Sequence, residues 1–228
     1  MDLIQALAAE LGKDPRHVEN VVHLLDEGNT IPFIARYRKE LHGAMDDTSL
    51  RTLEERLQYL RGLEERREAV KKSIDEQGKL TDELAATIDS AKTLAEVEDL
   101  YRPYKQKRRT RATMAKEKGL EPLAALLFAQ ERDCPRPEEA ARDFVDPEKG
   151  VETVEDALQG ASDIIAEQIS DDAAIRKSLR ALISRQGQLV SRAAIEDDSV
   201  YRLYYDFTQS VARLQGHQVL AINRGEKE

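Results

Sequence analysis

Leu50, Leu53, Leu57, Leu60 and Leu63 stand three or four residues apart, and Val70 and Ile74 take up the same stripe after a gap. No proline interrupts the run before Gly78. Apolar residues at that spacing line one face of an α-helix. The stretch therefore predicts a single helix over about 48–77, roughly 45 Å long at 1.5 Å per residue. Gly62 within it costs about 1 kcal/mol relative to alanine, which so long an element tolerates. The stripe fits an intramolecular core or an intermolecular coiled coil; the leucines fade after two heptads, which favours the core. Asp46 and Asp47 stand where carboxylates stabilise the positive end of this helix.

The rest of the chain reads as further helices. Leu3, Leu7 and Leu11 share a face of a short one that Gly12 ends. Asp14 caps the next, with Pro15 at its first position, where a missing N–H costs nothing. Thr30 opens "IPFIARYRKELHG", expected to be helical to Gly43. Thr81 opens "DELAATIDSA", and Thr93 with Glu96 has capping-box spacing for "LAEVEDLY", which Pro103 stops. Thr113–Lys118, Gly119 and "EPLAALLFAQ" form a helix-turn-helix-like pair over about 111–130, an outline shared with any αα-hairpin. A short helix, "EEAARDFV", lies between polar connections. Thr153 and Asp156 resemble a capping box for a helix through Ile169. Asp171 or Asp172 begins another, ending at Gly187, with Ile175, Leu179, Leu182 and Ile183 expected to face inward. No two-residue hairpin signal separates alternating strands. The expected class is all-α. Val219–Ile222 is an apolar run followed by a turn-like Asn-Arg-Gly.

The chemistry of a typical active site is missing. The chain has no phosphate-binding Gly-Lys-Ser/Thr loop, no G-x-G-x-x-G, no H-E-x-x-H and no G-x-S-x-G. His17 and His23 are six residues apart on one expected helix, so they do not make a one-face metal pair. Adjacent acids such as Asp171/Asp172 point different ways on a helix, and 44 acids make such pairs inevitable. No catalytic residue, metal site or cofactor is expected, and the chain does not read as an enzyme. The single cysteine, Cys134, fits a reducing compartment. The start has no basic region before its short apolar run, and no stretch is long enough for a membrane span. A cytoplasmic protein without membrane contact is expected.

One segment opposes the overall charge of −9. "YRPYKQKRRTRATMAKEKG" carries Arg102, Lys105, Lys107, Arg108, Arg109, Arg111, Lys116 and Lys118 against Glu117 alone. Three uses fit the densest part, Lys105, Lys107, Arg108, Arg109 and Arg111: a phosphate-binding patch, a dock for an acidic surface of the same protein, or a solvated loop. Tyr101 and Tyr104 can stack on exposed bases or anchor the loop to the core. A second set, Arg36, Arg38 and Lys39, accompanies Ile31, Phe33, Ile34 and Tyr37; it reads as a smaller basic surface or as core packing with arginines paired to acids.

Several blocks then line up together. "TIPFIARYRKE", the following "DD", "LRTLEERLQYLRGLEERR", "SIDEQGKLT", "VEDLYRPYKQKRRT", "KEKGLEPLA" and "HQVLAINRGEKE" resemble, in order and at similar spacing, the N-terminal part of the Tex family. These are bacterial transcription accessory proteins related to a eukaryotic transcription elongation factor. The resemblance implies an elongated multi-helix array over 1–195 and, over 196–228, a connection toward an RNase-H-like domain beyond this chain. It implies a truncated, non-catalytic scaffold region, whose parent binds RNA or DNA mainly through a later OB-fold domain. Here the two basic sets would contact nucleic-acid backbone as a secondary surface. The alternative is a protein-interaction module for transcription- or ribosome-associated proteins, with no direct nucleic-acid binding.

Overall fold

The computed structural model describes residues 3–106, 109–132, 134–194 and 199–227. Their contacts cluster into two compact units, 1–97 and 98–228. Twelve α-helices and one two-stranded sheet are found among the described residues.

The first unit is organised by the long helix. α1 (Leu3–Leu11), α2 (Pro15–Asp26) and α3 (Ile31–Tyr37) all pack against α4 (Asp47–Asp75), and α5 (Asp82–Ser90) covers it further along. Leu50, Leu53, Leu57, Leu60 and Leu63 are buried with Val70 and Ile74 inside this unit, together with Leu7, Val18, Val21, Ile34 and Ile88. The stripe is thus an intramolecular core. Asp46 caps α4 by accepting from the Ser49 amide at 2.8 Å. The hydrogen bonds from Ser49 hold its carboxyl below the ordinary range.

One boundary differs from expectation. The third helix ends at Tyr37, where Arg38 leaves helical backbone at φ −131°, ψ 37°, and does not continue to Gly43. The chain turns there to bury His42 and Met45. Asn20 Nδ2 donates to the Leu41 carbonyl at 3.1 Å, and Gly43 and Ala44 adopt positive φ. A side chain at Gly43 would collide with the His17 ring, so glycine is required there.

α6 (Leu94–Tyr101) contains the division between the units. At its start Thr93 accepts from the Glu96 amide, and the Glu96 carboxylate accepts from the Lys92 amide. The second unit centres on α10 (Val154–Asp171), against which α7 (Arg111–Glu117), α8 (Glu121–Ala129) and α9 (Pro137–Ala141) pack. Its core is made of small residues and a few large ones: Ala112 and Ala115, Leu120, Leu123 and Ala124, Ala140 and Ala141, then Ala157, Ala161 and Ile164. The capping box of Thr153 with Asp156 is complete.

α11 (Ala173–Gln186), capped by Asp172, runs opposite to expectation in its orientation. Ile175, Leu179, Leu182 and Ile183 were expected inward, yet all four are exposed and no α11 residue is buried. β1 (Gln188–Arg192) pairs antiparallel with β2 (Asp206–Ser210), from Gln188 opposite Ser210 to Arg192 opposite Asp206. The strands are joined by residues 193–205, which explains why no tight-turn signal exists. Val219–Ile222 and the following Asn-Arg-Gly lie within α12 (Gly216–Gly225) rather than in a turn. The expected boundary at 195/196 falls outside the described residues.

Candidate nucleic-acid interface

The basic segment begins where Pro103 ends α6. Arg102, Pro103 and Tyr104 form one 3-10 turn, and Tyr101 and Tyr104 are half-buried and engaged with their surroundings. At the far end of the segment Thr110 caps α7 and donates to Glu167 Oε1 at 3.0 Å, tying that end to α10. The segment is held at both ends by side chains of the second unit.

Its cations differ in how far they are satisfied. Arg102 Nε meets Asp171 Oδ1 at 2.8 Å. Lys118 Nζ donates to the Gly150 carbonyl at 2.7 Å, and Lys116 stands 3.7 Å from Glu121. Arg109 meets Glu117 at 2.8 Å, but its side chain is 69% exposed. Arg111 is 80% exposed and stands 3.9 Å from Asp163. Ion pairs so exposed contribute about 0–1 kcal/mol, and solvent or a phosphate can replace the carboxylate. Lys105 is exposed and makes no ion pair among the described residues. Lys107 and Arg108 lie outside the described residues.

The second set sits at the end of α3. Arg36 and Lys39 are exposed, and neither pairs with a carboxylate among the described residues. Arg38 lies over the Phe33 ring at 5.2 Å and donates from Nη1 to the Tyr37 carbonyl at 3.2 Å. The pairing of these arginines with nearby acids, open from the sequence, is absent among the described residues.

A buried ion cluster was not expected. Asp99 on α6 accepts from Arg176 Nε and from Arg180 Nη2, each at 2.6 Å, and is nearly inaccessible. Burial alone pushes its carboxyl up; the two guanidinium groups overcome this and hold it below the ordinary range. This clasp joins α6 to α11, and with Arg102–Asp171 it braces the entry to the basic segment. Spacing could not reveal it, because the partners are 77 and 81 residues apart. Among the described residues no three His, Cys, Asp or Glu side chains form a metal-holding group. No described helix is long and apolar enough to cross a membrane.

Comparison with known families and proteins decides the kinship. A model of the Tex-like protein N-terminal domain matches residues 1–75, and one of the Tex central region matches residues 133–228. The chain belongs to the Tex family. Protein YhgF of Escherichia coli is 48% identical over 225 residues, covering 97% of this chain and 29% of its own. The transcriptional accessory protein Tex of Neisseria gonorrhoeae is 42% identical over 232 residues, covering 100% and 30%. S1 RNA-binding domain-containing protein 1 of Homo sapiens is 31% identical over 236 residues, covering 99% and 23%. This Tex chain thus spans less than a third of the length of those relatives. Its basic segment falls between the two matched family regions, within the span aligned to each relative.

Proposed function

We propose that this chain is a non-catalytic helical scaffold in a transcription accessory protein of the Tex family, with a secondary basic surface for nucleic-acid backbone. The observation carrying this reading is the combination of Lys105, exposed and without an ion pair among the described residues, with Arg109 and Arg111, whose side chains stay 69% and 80% exposed. Such cations meet phosphates as fixed charges and read no sequence. Lys107 and Arg108 belong to the same proposed surface, and Arg36, Arg38 and Lys39 are proposed as a smaller basic set of their own in the first unit. The main RNA or DNA contact of the longer protein is proposed to lie in other domains, with 196–228 as the connection toward them. Cytoplasmic residence belongs to the same reading and rests on the single cysteine. The pair α7–α8 serves here as packing rather than as a groove reader, since α8 carries no Arg, Lys, Asn or Gln to reach a base edge.

A second reading has its own support. The exposed apolar stripe of α11 suits a protein-interaction module that binds a transcription- or ribosome-associated protein and no nucleic acid. Salt separates the two. Backbone binding weakens with a log–log slope of about −0.7 per phosphate neutralised on single strands. The triple variant Lys105→Glu, Arg109→Glu, Arg111→Glu loses this binding while its circular dichroism stays unchanged. A chain that binds no RNA or DNA at low salt leaves the interaction module as the function.

A further inference from the structure

Six of the seven tyrosines are at least half covered, and only Tyr37 is exposed, at 56%. It stands on the last turn of α3, immediately before the backbone leaves the helix. Its position is set by packing. Phe33, one turn earlier and partly buried, holds the Tyr37 ring at a centroid distance of 5.2 Å with a 47° tilt. Arg38 lies across Phe33 and donates to the Tyr37 carbonyl, so the guanidinium and the Tyr37 ring both pack on Phe33. The exposed ring is therefore held in place at little further entropic cost on binding.

The flanking charges select what such a ring can receive. Arg36, Arg38 and Lys39 surround Tyr37 in the chain against the single acid Glu40. A fixed aromatic face bordered by cations matches a flat base on a phosphate backbone. Phe128 provides the contrast: it is 52% exposed, but α8 has no cation beside it.

We infer that Tyr37 is a stacking platform for an unpaired base, which gives the second basic set a preference for single-stranded nucleic acid. This rests on the backbone-binding reading above and adds to it. Charge alone grips single and double strands alike, whereas a duplex keeps its π-faces inside the stack. Stacking of one base on an aromatic ring is typically worth on the order of ten-fold in affinity.

The test compares the chain with its Tyr37→Ala and Tyr37→Phe variants on short oligo(dT), oligo(U) and a duplex of equal length, at low salt. Tyr37→Ala is expected to weaken single-strand binding by on the order of ten-fold and to leave the duplex unchanged. Tyr37→Phe keeps the ring and is expected to bind as the parent does. A single strand carrying 5-iodouracil should crosslink at Tyr37. Comparable losses on dT and U mark a shared base face; a loss on only one assigns the strand type. Unchanged single-strand affinity in Tyr37→Ala, or equal losses on single strand and duplex, overturns the stacking role. Such a result leaves the backbone surface standing if the Lys105/Arg109/Arg111 variant still abolishes binding. Absence of binding to every oligonucleotide overturns both readings. Equal binding of poly-glutamate with the same Tyr37 dependence would assign the patch to an acidic peptide and overturn the base-stacking role.

Discussion

Gly160 on α10 faces the Leu120 side chain so closely that no Cβ fits between them. Leu120 is itself fully buried, and the Ala115 Cβ lies 3.3 Å from where a Gly160 Cβ would stand. The helix therefore forgoes the higher propensity of alanine to let α7, the Gly119 turn and α8 settle against it. Gly160→Ala gains about 1 kcal/mol of propensity but is expected to lose more to overpacking, for a net cost of roughly 1–2 kcal/mol. Combining it with Leu120→Ala should cost less than the sum of the two single changes, because the new methyl enters the space the leucine leaves. Urea midpoints of the four proteins in this cycle give the coupling.

The Asp99 clasp makes part of the stability depend on pH, and the sign follows from the direction of the shift. The two guanidinium groups depress the folded carboxyl, so as pH falls the unfolded chain takes up this proton first. The clasp contributes fully above the ordinary carboxylate range near about pH 4. Its contribution declines below that and is lost once the folded group itself protonates. Asp99→Asn is expected to cost roughly 1–3 kcal/mol at neutral pH and to flatten the acid limb of a stability–pH curve. Only part of that limb should vanish, because Asp26, Asp146 and Asp156 are depressed too.

The exposed stripe of α11 can be separated from core by substitution. Leu179→Glu or Ile183→Glu should change stability by about 1 kcal/mol or less, as exposed sites do. Ile164→Ala, in the buried face of α10, should cost about 2–5 kcal/mol. Both follow from denaturant midpoints measured side by side. A glutamate on the stripe should also reduce binding of a hydrophobic dye such as ANS.

That stripe shows where the sequence stops being informative. The spacing of Ile175, Leu179, Leu182 and Ile183 announces a helix with an apolar face, and the helix is there, but periodicity says nothing of what covers the face. The α4 stripe has the same spacing and is buried, because α1, α2, α3 and α5 supply neighbours. The end of α3 is hidden in the sequence for a related reason: "RYRKEL" has no helix breaker, and the chain leaves the helix to bury His42 and Met45. The small sheet was invisible because residues 193–205 separate its strands. In the candidate interface the crowd of cations was legible residue by residue. Their partners were not, since Arg102 and Arg111 find Asp171 and Asp163 only through the folding of α10 against its neighbours.

The gap in the α4 stripe has its own physical content. Between Leu63 and Val70 the core-facing position is held by Arg67, which is 3% exposed. Its Nη1 meets Glu64 at 2.6 Å, and its Nη2 donates to the Ala91 carbonyl beyond the end of α5. The guanidinium thus does what an apolar residue cannot: it satisfies a backbone acceptor at the close of a neighbouring helix while its stem continues the stripe. A lysine offers one point of charge in place of a planar fork and cannot hold both acceptors in the same geometry. Arg67→Lys is therefore expected to destabilise the first unit by roughly 1–3 kcal/mol. Arg67→Met keeps the volume but strands the Ala91 carbonyl, and should cost a similar amount. Thermal or urea unfolding of the two variants checks this, and amide hydrogen exchange over 82–97 should rise in both.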